Sequence, residues 1–234
     1  MITFILKLLV LIYLFYMIKF VYDMLQYNQK ASLIKIEIPD KDKIALELKH
    51  KCPLLINHLL NLDLTIEGMT YGIPGYIIRD GNTLLSLGQL NKSDNIYVHK
   101  NHQLVTDFNL LSHHSKIEEL FSTYLTCGSN HYVSLYRGNQ QTHLTKNYRE
   151  TLLLQPISGK VIIYLFNPKH ESDIKGIELK SIKKWGIKLE LEKNQLLYIP
   201  PEWYYFYESM DDVILSQVEF DSYPSFLFNY IRKK

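Results

Sequence analysis

Cysteine and alanine are both scarce. Cys52 and Cys127 are the only cysteines in 234 residues, too few for a disulfide framework or a four-cysteine zinc site. No long basic run occurs, and 26 Lys and Arg stand against 24 Asp and Glu. A dedicated nucleic-acid binder needs clustered cations to neutralise phosphates, so that class is excluded. Common catalytic signatures are missing as well: the chain has no HExxH, no CxxC and no GxSxG nucleophile elbow. Gly159-Lys160 is not a phosphate-binding loop, because Leu154 stands where an earlier glycine is required and Val161 where Ser or Thr should follow. What is abundant is hydrophobic side chain. At 47% apolar and 21% charged the chain can build a core, and its length suits one domain plus a short extra element. Lys outnumbers Arg, Ala31 and Ala45 are the only alanines, and Ile, Asn and Tyr are plentiful, which is the residue usage of an AT-rich genome.

The hydrophobic excess is concentrated at the start. Ile2 to Tyr22 reads ITFILKLLVLIYLFYMIKFVY, a helix of roughly 30 Å, the thickness of a bilayer's hydrocarbon core. Lys7 and Lys19 lie near opposite ends, where their ammonium groups can snorkel to the headgroups. Tyr22 and Tyr27 suit an interfacial aromatic belt. Signal-peptide cleavage needs small residues after the apolar core, and Phe20, Val21, Tyr22 and Asp23 are not small. Residues 2–22 are therefore expected to sit in a lipid bilayer as an uncleaved anchor. Lys19, Asp23, Gln26 and Lys30 share one helical face, so residues 1–30 read as anchor helix plus stalk. Lys30, Lys35 and Lys41 follow the span against Lys7 before it, which favours a cytosolic C-terminal domain, and two unpaired cysteines agree. The sequon Asn91-Lys92-Ser93 points the other way.

The remainder reads as one domain, mixed α/β over 31–130 and β-rich over 131–234. Leu33 to Ile38 alternates like a half-buried strand, Ile44 to Lys51 suits a short helix, and Pro53 to Ile56 a buried strand. Tyr76 to Arg79 and Thr83 to Leu85 flank Asp80-Gly81-Asn82, a hairpin signal. Asn95 to His99 predicts a strand and Ser115 to Leu125 a helix. Thereafter the period is two, over 131–137, 150–155, 161–166, 187–191, 195–199 and 213–220, with a turn at Ser158-Gly159 and a short closing helix over 224–232. Such strands indicate a sandwich or barrel.

Of the nine histidines, His113-His114 is expected to face solvent. His50, His58, His99 and His102 lack acidic neighbours at ligand spacing. His170-Glu171 beside Asp173 is a weak metal candidate in a loop, and Lys183-Lys184 before Trp185 reads as a hydrated surface.

One constellation stands out. Gln141-Thr142-His143-Leu144-Thr145 leads through a strand, the turn Ser158-Gly159-Lys160 and the strand Val161 to Phe166 to Asn167-Pro168. Later comes Leu196-Leu197-Tyr198-Ile199-Pro200-Pro201-Glu202-Trp203-Tyr204-Tyr205. From Tyr132 to Phe220 this order resembles the Jumonji-C/cupin-like hydroxylases, iron- and 2-oxoglutarate-dependent oxygenases, with Ile-Pro-Pro-x-Trp its most specific part. Lys51 to Ile56 looks like that family's early Pro-x-x-Ile strand. The resemblance implies a mainly β domain with some α, a double-stranded β-helix of jelly-roll type behind an N-terminal transmembrane helix. It also implies a site between two sheets.

Non-haem Fe(II) is held by two imidazoles and a carboxylate on one face. His-x-Asp supplies two of these from one side of a strand, because side chains alternate. Here His143 keeps the first position, Thr145 replaces the Asp, and Tyr205 replaces the final His. A phenol with a reference pKa near 10 is a poor Fe(II) ligand. The position of the family's 2-oxoglutarate lysine holds Val161, and pleating turns the adjacent Lys160 to the opposite face. The metal site thus reads as degenerate, with no catalytic residue, no metal and no cofactor. Trp203, Tyr204, Tyr205, Phe206 and Tyr207 are expected to line or flank the former pocket, either as core or as walls of a retained ligand pocket.

The leading expectation is a single-pass membrane protein whose inactive domain is a binding or assembly module for a protein or small molecule, and which would suit a large AT-rich DNA virus. Two alternatives stay open. One is an oxygenase using Fe(II) and 2-oxoglutarate at an unorthodox site in which His131 or His170 helps His143. The other is an unrelated sandwich, in which His143, Thr145 and Tyr205 do not converge.

Overall fold

Apolar residues on every side of one helix open the chain. In the computed structural model, which describes residues 2–26, 28, 32–57, 62–80, 83–90, 96–122 and 126–232, α1 runs Ile2–Leu25. Its 20-residue stretch Phe4–Asp23 is long and apolar enough to cross a membrane, and none of it is buried in protein. A helix apolar all round has no use for water on any face. It stops at Leu25 with the Gln26 amide bonded to the Tyr22 carbonyl, short of the stalk expected to reach Lys30. Tyr27 and Lys30 lie outside the described residues, as does the sequon at 91–93.

The next segment alternates short elements: β1 (Ile34–Ile36), α2 (Lys41–Leu48), β2 (Leu54–Ile56), α3 (Ile66–Gly72), β3 (Ile77–Asp80), β4 (Thr83–Ser86), α4 (Leu87–Leu90), β5 (Ile96–Asn101), α5 (His102–Asp107) and α6 (Leu111–Phe121). Side-chain caps set where three of these helices begin. Asp40 accepts from the Lys43 amide, Thr65 from Gly68 and Asn101 from Leu104, each satisfying a donor that the first turn leaves unpaired. The Asp40 cap starts α2 ahead of Ile44. The helices α3 and α5 were not anticipated from periodicity.

From there strands dominate: β6 (Thr126–Arg137), β7 (Gln140–Gln141), β8 (Thr145–Lys146), β9 (Thr151–Ser158) and β10 (Lys160–Phe166). After α7 (Glu171–Ile174) and α8 (Leu179–Ile182) come β11 (Ile187–Glu192), β12 (Leu196–Ile199), β13 (Tyr204–Ser209), β14 (Val213–Ser222) and the closing α9 (Tyr223–Arg232). The strand β13 has no alternating pattern, because four aromatic residues in a row, Tyr204 to Tyr207, are buried on both its faces.

The architecture is mixed α/β, with two large sheets. The first has the order β1-β2-β12-β9-β14-β6-β5, and the second β11-β10-β13-β7 with β8 also paired to β13. The hairpin β3-β4 stands apart. Leu152, Leu154, Leu197 and Leu215 of the first sheet share one core with Val161, Ile163, Leu191 and Tyr205 of the second. On the first sheet's other face, Ile44 of α2 and Ile117 and Phe121 of α6 pack against Leu54, Leu153 and Val218. The second sheet's other face carries Tyr164, Phe166, Tyr204 and Phe206, covered by Ile174 and Ile182.

The histidine pair is buried rather than solvent-facing. His113 is 5% exposed and His114 is 0%, because α6 begins at Leu111 and carries both on the face that holds Ile117 and Phe121. Gln155 meets His113 Nε2 at 2.8 Å, and Ser216 meets His114 Nε2 at 2.7 Å.

Candidate functional site between the two sheets

The turn from β12 to β13 is locked by one asparagine. Asn147 donates from its side chain to the carbonyls of Ile199 (2.8 Å) and Pro200 (3.0 Å). Its backbone amide bonds the Trp203 carbonyl, and its carbonyl receives the Glu202 amide. Glu202 takes φ of +69° inside this turn. Trp203 follows with no exposed surface. The Ile-Pro-Pro-x-Trp segment is thus a rigid entry that sets the register of β13.

That register makes Tyr205 the direct partner of Thr145 on β8, and Tyr204 the partner of Lys146. The pleat then sorts the aromatic run. Trp203, Tyr205 and Tyr207 enter the space between the sheets. Tyr204 and Phe206 go to the opposite face, so Tyr204 does not line the inter-sheet space. Val161 does, 1% exposed, while Lys160 points out to Glu190. His143 lies in the link between β7 and β8 and is exposed. Thr145 is also exposed, and its hydroxyl donates to the His143 carbonyl at 3.1 Å.

The chemistry of this corner follows from burial. Burial first, and then the nearby Glu219 carboxylate, push the Tyr205 phenol far above its ordinary range, so it remains a neutral hydroxyl. Tyr207 is likewise raised by burial and by Tyr136, to which its hydroxyl is bonded. Tyr204 is pushed up to about 12 by burial and by Glu171. Lys146 lies over the Tyr204 ring and pairs with Glu202 at 2.8 Å and Glu171 at 3.1 Å.

Sequence reasoning missed the charged group that faces this corner. Glu219 shares the inward parity of Val213 and Leu215 on β14, opposite Leu152. Lys100 reaches it at 2.7 Å, Arg149 at 3.4 Å and the Gln217 amide at 2.5 Å. Arg149 also bonds the fully buried Asp221 at 2.7 Å. Burial works to raise the Glu219 carboxyl, but Lys100 and Arg149 outweigh it and hold the group below the usual carboxylate range. Lys100 is aimed there by an irregularity in the β5–β6 ladder between Val98 and Asn101, where it takes φ of +47°. The available signal was parity: Gln217 and Glu219 are polar at the positions that continue the inward Val213 and Leu215 of β14.

An open cleft of about 590 Å³ adjoins this cluster, lined among others by Arg79, His99, Lys100, Asn101, His102 and Gln103. The His99 ring stacks on Tyr97 at 5.3 Å. Burial, and then Lys100, draw its pKa down to about 4, with His143 adding to the effect.

These groups do not fit Fe(II). Thr145 and Tyr205, the positions to which the resemblance assigns ligands, are neutral hydroxyls, and Glu219 is already engaged by two cations. Among the described residues no group of three or more His, Cys, Asp or Glu is placed to hold a metal ion. His131 stacks on His114 at 5.3 Å and lies beside Glu118. It is opposite Val218, on the sheet face away from Tyr205. His170 pairs with Asp173 and packs on Trp185. No protein-family model and no curated protein matches the chain.

Proposed function

We propose that this protein is a membrane-anchored, catalytically inactive double-stranded β-helix domain of Jumonji-C/cupin-like type, serving as a binding or assembly module. The strand orders β12-β9-β14-β6 and β11-β10-β13-β7 support the fold reading, since they are the alternation expected when a chain winds back and forth between two facing sheets. The observation that carries the functional reading is the Thr145–Tyr205 pair. Two positions that the oxygenase chemistry needs as ligands face each other across one ladder, and neither can hold Fe(II). Apolar and aromatic side chains fill the space beside them.

What the module offers a partner is the adjoining cleft. Its volume is that of a small-molecule site, and Arg79 beside Asn101, His102 and Gln103 suits a carboxylate- or phosphate-bearing ligand, the neighbouring Lys100 being paired with Glu219. Residues Phe4–Asp23 hold the module to the bilayer, with Lys35 and Lys41 placing the domain on the cytosolic side. Glycosylation of Asn91 in a membrane-translation assay would reverse that sidedness.

The test is direct. The full chain, purified in detergent, is analysed for bound metal and for 2-oxoglutarate consumption with added Fe(II). The expected result is no stoichiometric Fe or Mn and no turnover above a protein-free control. Bound metal that disappears in His143→Ala would overturn the proposal in favour of an atypical oxygenase.

A further inference from the structure

The closing helix is built inside out. Ser225 and Asn229 of α9 are 0% and 5% exposed. The Asn229 side chain donates to the Tyr148 carbonyl at 2.7 Å and to Asp221 at 3.2 Å, and Ser225 lies against Ser222. The opposite side carries Tyr223, Phe226, Tyr230 and Ile231, between 41% and 66% exposed. A helix on a water-facing surface turns its apolar stripe inward. This one turns its polar residues inward and its aromatic ones outward.

The environment of that outward face is given by its neighbour. Leu227, Phe228 and Ile231 form an apolar groove of about 360 Å³ with Tyr13, Leu14, Met17, Ile18 and Val21 of α1. Those α1 residues span roughly 12 Å at 1.5 Å per residue, in the half of the helix nearer the domain. A helix packed on that half occupies the same depth as α1 does. Its basic end stays with the domain, because Arg232 bonds Glu202 at 2.6 Å and lies over the Tyr148 ring at 4.9 Å. Gly128 lets this happen at the other end. At φ of +64°, a Cβ there would come within 2.9 Å of the Phe226 ring.

We infer that α9 is an interfacial membrane helix, lying beside α1 with Tyr223, Phe226, Tyr230 and Ile231 in the boundary between lipid headgroups and acyl chains. This rests on the reading of α1 as a membrane span. The occupant is lipid rather than a second protein because the exposed face of α9 is continuous, through the shared groove, with the exposed face of α1. Tyrosines, whose rings are apolar and whose hydroxyls are wet, belong at that depth. Such a helix sinks its apolar side about 5–10 Å below the headgroups. It would fix the domain's orientation on the bilayer, which a single span leaves free to swivel.

The experiment places tryptophan reporters in the full chain, in a Trp185→Phe background that leaves the buried Trp203 as a constant. Tyr230→Trp and, separately, Phe226→Trp report α9. Ile12→Trp reports the middle of α1, and Met210→Trp an exposed turn of the domain. Each variant is reconstituted in phosphatidylcholine/phosphatidylserine vesicles with and without acyl-brominated phosphatidylcholine. The expected result is that the α1 and α9 reporters lose most of their emission to bromine while Met210→Trp keeps its own. Quenching of Ile12→Trp without quenching of either α9 reporter overturns the inference and leaves the anchor standing. Absence of quenching at Ile12→Trp overturns both. An α9 reporter that is blue-shifted but unquenched means a protein surface, such as a second copy, covers the helix, and also overturns it.

Discussion

Tyr136 of the first sheet and Tyr207 of the second meet hydroxyl to hydroxyl across the core, with their rings edge to face at 5.5 Å. Both are almost wholly buried, and burial is the main reason that both phenols are raised far above their ordinary range. Each therefore stays neutral, one donating and one accepting. Removing the Tyr136 hydroxyl takes from the buried Tyr207 the hydroxyl to which it is bonded, whereas removing both hydroxyls leaves no unpaired Tyr207 oxygen. Tyr136→Phe is expected to destabilise the domain by about 1–3 kcal/mol, and the double change with Tyr207→Phe to cost less than the sum of the two singles. Denaturant unfolding of the full chain in detergent measures this. A double variant that simply adds the two losses would show that the contact carries nothing.

The Glu219 cluster gives a second asymmetry. Its carboxylate has two cations and an amide around it, so deleting the carboxylate takes away the carboxylate that pairs with Lys100 while Arg149 keeps Asp221, whereas deleting Lys100 still leaves Arg149 on Glu219. Glu219→Ala is expected to cost about 1.5–3 kcal/mol, the range for losing hydrogen bonds to charged groups, since Lys100 can reach water and Arg149 keeps Asp221. Lys100→Ala, at a side chain 30% exposed, should cost distinctly less. Equal losses in unfolding experiments would mean that Arg149 does not compensate.

His114 sets a pH limit. Burial, and then the neighbouring His131 and His113, hold its pKa down to about 3, and Nδ1 has no hydrogen-bond partner among the described residues. The folded state therefore keeps it neutral. The unfolded chain protonates it below about pH 6.5. A depressed folded-state pKa means stability that is present above the unfolded value and lost as pH falls. Between about pH 7 and pH 5 this one group removes about 2 kcal/mol, and His113 and His131, also lowered mainly by burial, act in the same direction. His114→Gln, which cannot titrate, should flatten the decline measured by denaturant unfolding at the two pH values. An unchanged slope would assign the acid sensitivity elsewhere.

Strands with one wet face were visible in the sequence, and so were β9, β12 and β14, whose residues are buried on both faces but bounded by turn residues. The alternating Ile187 to Glu192 and the Asp80-Gly81-Asn82 hairpin signal point to real strands, because exposure on one side writes a period into the residues. Where both faces are covered the period vanishes, as at Tyr204 to Phe206, and β13 was not anticipated as a strand. His113-His114 was misjudged for a related reason: the polarity of a side chain says little once Gln155 and Ser216 wait on the sheet to receive it. Of the candidate site, the sequence singled out Thr145 and Tyr205, which the structure pairs, but not the charged cluster beside them. Glu219, Lys100 and Arg149 come together from places 119 and 70 residues apart, and no local pattern announces that meeting.

The Thr145–Tyr205 pairing permits a test in the opposite sense, by building in the ligands that the proposed fold type would carry there. Thr145→Asp combined with Tyr205→His places a carboxylate and an imidazole on two residues that already face each other, beside the native His143. Tyr205 is 4% exposed within the shared core, so trimming its ring leaves a void, and the variant should lose about 1–3 kcal/mol before any metal is added. Metal that binds only the folded state then restores stability, by about 2.7 kcal/mol at a concentration one hundred times its dissociation constant. Thermal unfolding with and without Mn(II) or Co(II) reads the effect, and the unaltered chain serves as the control. The expected outcome is stabilisation by metal in the double variant and none in either single variant. A double variant that folds yet ignores both metals would mean that the three positions never formed a metal site, and the likeness to the oxygenases would then stop at their strands.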